Sequence, residues 1–128
     1  MNKEQLLNLI ESLNLPKSEY YILSSGVLLL YGVREKAGDL DLCVSPSLFE
    51  TLKKQFNLTD DKRNSCGFYA ITDDVEIVVN EKSDFERTFK DGYPVQTLES
   101  ILAFKKNRCA PKDIPDIAQI ERYLKSNN

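Results

Sequence analysis

Two short runs of strict polar–apolar alternation limit what this chain can fold into. Residues 39–44 read Asp-Leu-Asp-Leu-Cys-Val, and residues 74–79 read Asp-Val-Glu-Ile-Val-Val. A period of two belongs to a β-strand, because successive side chains leave opposite faces of the backbone. In the first run Asp39, Asp41 and Cys43 share one face, and Leu40, Leu42 and Val44 share the other. In the second, Val75, Ile77 and Val79 face a core while Asp74 and Glu76 lie opposite. Each run therefore has one face to bury and one that carries acids.

Helical patterns surround these strands. Leu6, Leu9, Ile10 and Leu13 recur at helical spacing, so residues 3–14 read as an amphipathic helix that Asn14 and Pro16 end. Val27–Gly32 is a short apolar helix. Ser45 and Pro46 open another that runs to about Phe56, with Leu48, Phe49, Leu52 and Phe56 as its core stripe. A helix over 98–108 puts Leu98, Ile101, Leu102 and Lys105 on one face. The last helix begins near Asp113 as its N-cap, with Ile114, Ile117, Ile120 (or Glu121) and Leu124 as the stripe. Asp60–Ser65 is a polar turn. Phe68–Ile71 and Val75–Val79 form a hairpin through Thr72-Asp73-Asp74. Tyr20–Leu23 reads either as a short strand or as a helical lead-in. Residues 80–91 read first as a surface loop, with a short helix or a lid as alternatives. Tyr93-Pro94-Val95 leads into the helix at 98. The expected fold is α/β (α+β), a short mixed β-sheet with helices packed on it. With no repeat and no linker, residues 1–128 form one domain.

Composition excludes several chemistries. The chain has no histidine, and its cysteines, Cys43, Cys66 and Cys109, are widely spaced. The usual zinc sites and Ser-His or Cys-His nucleophilic catalysis are therefore ruled out. The thiols are expected to be free. The net charge of −3 makes long nucleic acid an unlikely partner, because a phosphate backbone rewards a basic face. No apolar run reaches the roughly 18 residues of a membrane span. The start, Met1-Asn2-Lys3-Glu4-Gln5, lacks a secretory pattern, so the expected location is cytoplasmic.

The acids carry the most specific chemistry. Carboxylates at i and i+2 on a strand point the same way and repel, so such a pair favours a cation. A hard ion such as Mg²⁺ suits oxygen ligands and leaves positions for phosphate. If the two acidic strands are neighbours, Asp39, Asp41 and Glu76 converge. Three carboxylates can hold two metal ions about 3.5–4 Å apart, an arrangement used for in-line phosphoryl displacement. Ser24, Ser25 and Gly26 precede the short apolar helix, where backbone N–H groups favour anions. The plain alternative is that a serine caps that helix and Gly26 relieves crowding. Arg34 and Lys105 are further candidates for phosphate. In the plain reading, Arg34 is a solvated loop residue.

Taken together these residues resemble the nucleotidyltransferase superfamily of the polymerase-beta type, and its small bacterial minimal members most. The resemblance rests on Ser25-Gly26, then Leu30-Tyr31-Gly32-Val33-Arg34, then Asp39-Leu40-Asp41-Leu42, then Val75-Glu76-Ile77. It closes with Lys105 and Lys112-Asp113-Ile114-Pro115-Asp116-Ile117. The pattern departs from the family at Ser25, where glycine is usual, and at Ala110, where arginine is usual. The resemblance implies a nucleotidyltransferase fold and transfer of a nucleoside monophosphate from a nucleoside triphosphate to an acceptor, with two Mg²⁺ ions. Asp39, Asp41 and Glu76 would be catalytic and metal-binding, and Ser24, Ser25, Gly26, Arg34 and Lys105 would bind the nucleotide. The alternative it implies is an antitoxin-like or nucleotide-sensing module that acts with a partner protein without catalysis. A chain this short also leaves the acceptor site to a second subunit, as a homodimer or with a partner.

Overall fold

Leu40–Val44 and Val75–Val79 form neighbouring strands in a computed structural model that describes residues 1–65, 67–80 and 87–126. The chain order is α1 (Lys3–Leu13), β1 (Tyr20–Ile22), α2 (Ser24–Leu30), β2 (Leu40–Val44), α3 (Pro46–Phe56), β3 (Tyr69–Ala70), β4 (Val75–Val79), β5 (Arg87–Lys90), β6 (Tyr93–Gln96), α4 (Leu98–Arg108) and α5 (Ile114–Ser126). The sheet order is β3-β4-β2-β1-β6-β5. β2 runs parallel to β4 and β1 parallel to β6, whereas β1–β2, β3–β4 and β5–β6 are antiparallel. The protein is thus a mixed α/β structure with a six-stranded mixed sheet and, among the described residues, five α-helices.

The alternating patterns explain which sheet face is buried. Leu40, Leu42, Val44, Val75 and Ile77 are sealed in the core with Leu6 and Ile10 of α1 and Val27–Leu30 of α2. Asn2 caps α1 through a reciprocal bond pair with Gln5, and Ser45 caps α3 by accepting from the Leu48 amide. Asn14 and Asn57 close these two helices in the left-handed conformation that asparagine tolerates.

Several elements differ from the sequence reading. The short apolar helix begins at Ser24 and ends at Leu30, not at Val27 and Gly32. Its N-cap is Leu23, with no side-chain cap bond, so neither serine caps it. Tyr20–Ile22 is a strand. Tyr93–Gln96 is also a strand, not a lead-in to α4, and pairs with β5 through the Asp91-Gly92 turn. Residues 87–90 of the stretch read as a loop are therefore the edge strand β5. The pairing is a local hairpin, but its outer strand is short, charged and exposed, so it leaves little apolar alternation in the sequence. Residues 81–86 of that stretch lie outside the described residues, as does Cys66. Asp113 ends a 3₁₀ turn, Pro111–Asp113, and α5 starts after it. Its carboxylate turns inward to Lys105 and Arg108 rather than capping the helix.

Candidate functional site

The register of β2 and β4 sets Asp41 directly opposite Glu76. Partners at one level of a parallel ladder point to the same face. Asp39 lies two residues before Asp41, just ahead of the strand, and is exposed, while Asp41 and Glu76 are half-buried. Asp41 feels the other two acids. Burial, then Glu76, then Asp39 push the Asp41 carboxyl up to about 6 from its ordinary 3.8. Asp41 Oδ1 is buried without a hydrogen-bond partner among the described residues. A buried acceptor without a partner is costly, and a bound cation would relieve it together with the repulsion. Among the described residues, no three His, Cys, Asp or Glu side chains already stand as a ready set of metal ligands. The donor chemistry fits a hard cation.

The same row of the sheet continues away from Asp41 on both sides. Toward β1, the Leu23 amide donates to the Asp41 carbonyl at 2.9 Å, so α2 starts immediately beside Asp41. Ser24, at φ +46°, occupies the left-handed region, and its amide donates to Gln96 Oε1 at 3.1 Å. Gln96 Nε2 in turn donates to Ser100 Oγ at 3.1 Å. The β6 side chain thus holds the Ser24–Gly26 turn in place. Gln96 carried no local signal in the sequence, because it reaches the turn only through the β1–β6 pairing. Gly26 is fully packed. A Cβ there would meet Ile22 Cγ2 at 2.8 Å, so glycine lets α2 lie against β1. Relief of crowding is therefore the local reason for this glycine.

Toward β3, Asn64 Nδ2 approaches Glu76 Oε2 at 3.5 Å. Asn64 is a second residue that sequence reasoning missed, since it sits in a polar turn twelve residues from its acid partner. Asp74, the other acid of β4, is exposed and level with Asp39 rather than with Asp41.

Arg34 and Lys105 stand in an ion-pair cluster of their own. Lys105 was expected to reach a substrate phosphate. The residue is instead only 4% exposed, and its ammonium donates to Asp113 Oδ1 at 3.1 Å and forms an ion pair with Asp116 Oδ2 at 3.4 Å. A buried ammonium requires such partners. Arg108 adds a two-pronged contact to Asp113, and Arg34 Nη1 lies 3.6 Å from Asp116 Oδ2. Arg34 keeps 41% of its side chain exposed and so still faces solvent. Cys43, on the acid face, is buried, which pushes its thiol up and away from reactivity.

No helix among the described residues is long and apolar enough to cross a membrane. Comparison with protein-family models, with curated proteins and with solved structures returns no match for this chain.

Proposed function

We propose that the protein is a metal-dependent nucleotidyltransferase with a nucleotidyltransferase fold, moving a nucleoside monophosphate from a nucleoside triphosphate to an acceptor. The observation that carries this reading is the pairing of Asp41 with Glu76 across two strands, beside Asp39 and with Asp41 Oδ1 unsatisfied. Asp39 and Asp41 would hold the Mg²⁺ ions, with Glu76 as the third ligand. Bound Mg²⁺ would offset charge that builds on the transferring phosphoryl oxygens. Glu76 accepts the proton of the acceptor hydroxyl, as the chain has no histidine to serve as base. The acceptor oxygen bonds the α-phosphorus, and pyrophosphate leaves. Ser24 and Ser25 receive the phosphates at the turn beside Asp41, with Gly26 packed behind them against Ile22. Arg34, half-exposed and held only at 3.6 Å by Asp116, offsets negative charge.

Isothermal titration tests this directly. Nucleoside triphosphate should bind only with Mg²⁺ present, and Asp41→Asn should abolish binding. Unchanged affinity in that variant overturns the assignment.

A second reading is a nucleotide-sensing or antitoxin-like module that works with a partner protein. Phe104 and Ile114 favour it, being 55% and 65% exposed on α4 and α5. Radiolabelled nucleoside triphosphate incubated with cell extract separates the two. Label transferred to an acceptor indicates the enzyme, and retention of intact nucleotide indicates the sensor.

A further inference from the structure

The turn between α3 and β3 encloses an open polar cavity of about 610 Å³, lined by Asp60, Arg63, Asn64, Ser65 and Gly67. Its volume lies within the usual range of small-molecule sites, roughly 300–1,000 Å³. We infer that this cavity is the acceptor subsite and takes a small hydroxylated compound bearing an anionic group, of the sugar-phosphate class. The inference rests on the function proposed above and adds to it the place and chemistry of the second substrate, held within this chain rather than on the second subunit expected for a chain this short.

Three observations converge. The first is position. The sheet row reads Ala70, Glu76, Asp41 from β3 to β2, and α2 begins past Asp41 on the β1 side. The cavity lies beyond Glu76 at the opposite end of that row, reached through the Asn64–Glu76 contact at 3.5 Å. In-line displacement places the attacking and leaving oxygens on opposite sides of phosphorus. A donor held at α2 therefore leaves the Glu76 side for the acceptor, and Glu76 is the group that takes the acceptor proton.

The second is the built geometry of the turn. The Asn64 amide donates to the Phe68 carbonyl at 2.8 Å, and Asn64 Oδ1 accepts from the Phe68 amide at 3.0 Å. The Gly67 amide donates to the Asn64 carbonyl at 3.0 Å. These bonds fix Asn64 so that its NH₂ group is directed to Glu76. Asn64 is thus a positioning residue for the proton acceptor as well as a wall of the cavity.

The third is charge. The Arg63 guanidinium lies over Gly67, with Nη2 at 3.3 Å from where a Cβ would stand. Among the described residues no carboxylate forms an ion pair with it. A planar guanidinium at a cavity wall, with no carboxylate partner among the described residues, suits a phosphate or carboxylate. Asp60, Asn64 and Ser65 offer acceptors and donors that suit hydroxyl groups.

Amide NMR titration with ribose 5-phosphate, ribose and inorganic phosphate tests the assignment. Ribose 5-phosphate should shift the amides of Asn64, Ser65 and Gly67, and both ribose and Arg63→Ala should weaken the response about tenfold. Three results would each overturn the acceptor subsite. These are shifts absent from Asn64, Ser65 and Gly67, shifts undiminished in Arg63→Ala, and equal shifts with inorganic phosphate alone. Line broadening by Mn²⁺ at Asp39, Asp41 and Glu76 is read in parallel. Its loss counts against the metal-dependent function, whereas its presence without cavity shifts counts against the acceptor subsite alone.

Discussion

Asp41 and Glu76 occupy matched positions on the parallel strands β2 and β4, and Glu76 is the larger of the two charges that raise the Asp41 carboxyl. Burial is larger still. Removing the Glu76 charge should therefore lower the Asp41 titration midpoint from about 6 without returning it to 3.8. Carbon-detected NMR of the side-chain carboxyl in Glu76→Gln measures this. A midpoint that does not move would show that the two carboxylates are not coupled.

The raised Asp41 carboxyl makes the charged form a burden on the fold. Its folded value lies above its unfolded one, so the folded state binds the proton more tightly. The burden is absent below 3.8, grows as pH rises, and is complete above about 6. Without divalent cation, Asp41→Asn should be more stable than the parent at pH 8 by about 1–2 kcal/mol, a figure reduced for solvent screening of a half-buried group. At pH 3.5 the two proteins should nearly coincide. Urea denaturation at both pH values, with chelator present, decides it. A variant that is less stable at pH 8 would mean that the Asp41 charge is already satisfied.

Gly26 makes a purely steric prediction. Its Cβ-to-be meets Ile22 Cγ2 at 2.8 Å, and Ile22 is fully buried against the sheet. Gly26→Ala should cost about 1–3 kcal/mol by overpacking, despite the better helix propensity of alanine. Ile22→Ala removes the clashing methyl. The double variant should thus lose less stability than the two single changes added together, a coupling that thermal denaturation resolves. Strict additivity would mean that α2 does not lean on β1 at this point.

The strand alternation that fixed Asp39, Asp41 and Glu76 on the acid face was legible because one buried side imposes period two on the sequence. The register that sets Asp41 against Glu76 follows from it only once the two strands are neighbours, and the structure supplies that. The hold of Gln96 on the Ser24 turn and of Asn64 on Glu76 was not legible. Both connect residues far apart in the chain through pairings that leave no periodic trace. β5 was missed for a related reason. Its Arg87-Thr88-Phe89-Lys90 is an edge strand, where charged residues are tolerated and alternation is weak. Lys105 was misread because a lysine on the apolar face of a helix fits both a phosphate ligand and a buried ion pair, and only the fold shows where its partners are.

Those partners define the last prediction. Lys105 Nζ bonds Asp113 at 3.1 Å and Asp116 at 3.4 Å, and Asp113 is only 2% exposed. Arg108 and then Lys105 hold the Asp113 carboxyl well below the usual carboxylate range. Truncating Lys105 leaves a buried carboxylate with less compensation, so Lys105→Met should cost about 3 kcal/mol at pH 7. Asp113 contributes stability that is fully present above its unfolded value of 3.8 and is lost only as pH falls through its much lower folded value. The penalty of Lys105→Met should therefore persist down to about pH 3 and shrink only in stronger acid, where Asp113 takes up a proton and no longer needs the ammonium. Adding Asp113→Leu removes the stranded charge. Arg108, 37% exposed, then hydrates, so the double variant should recover part of the loss. Thermal denaturation of both variants from about pH 1.5 to 8 tests the whole scheme. A penalty that is flat with pH, or a double variant worse than the sum of its parts, would mean that Lys105 matters through packing of its stem rather than through its charge.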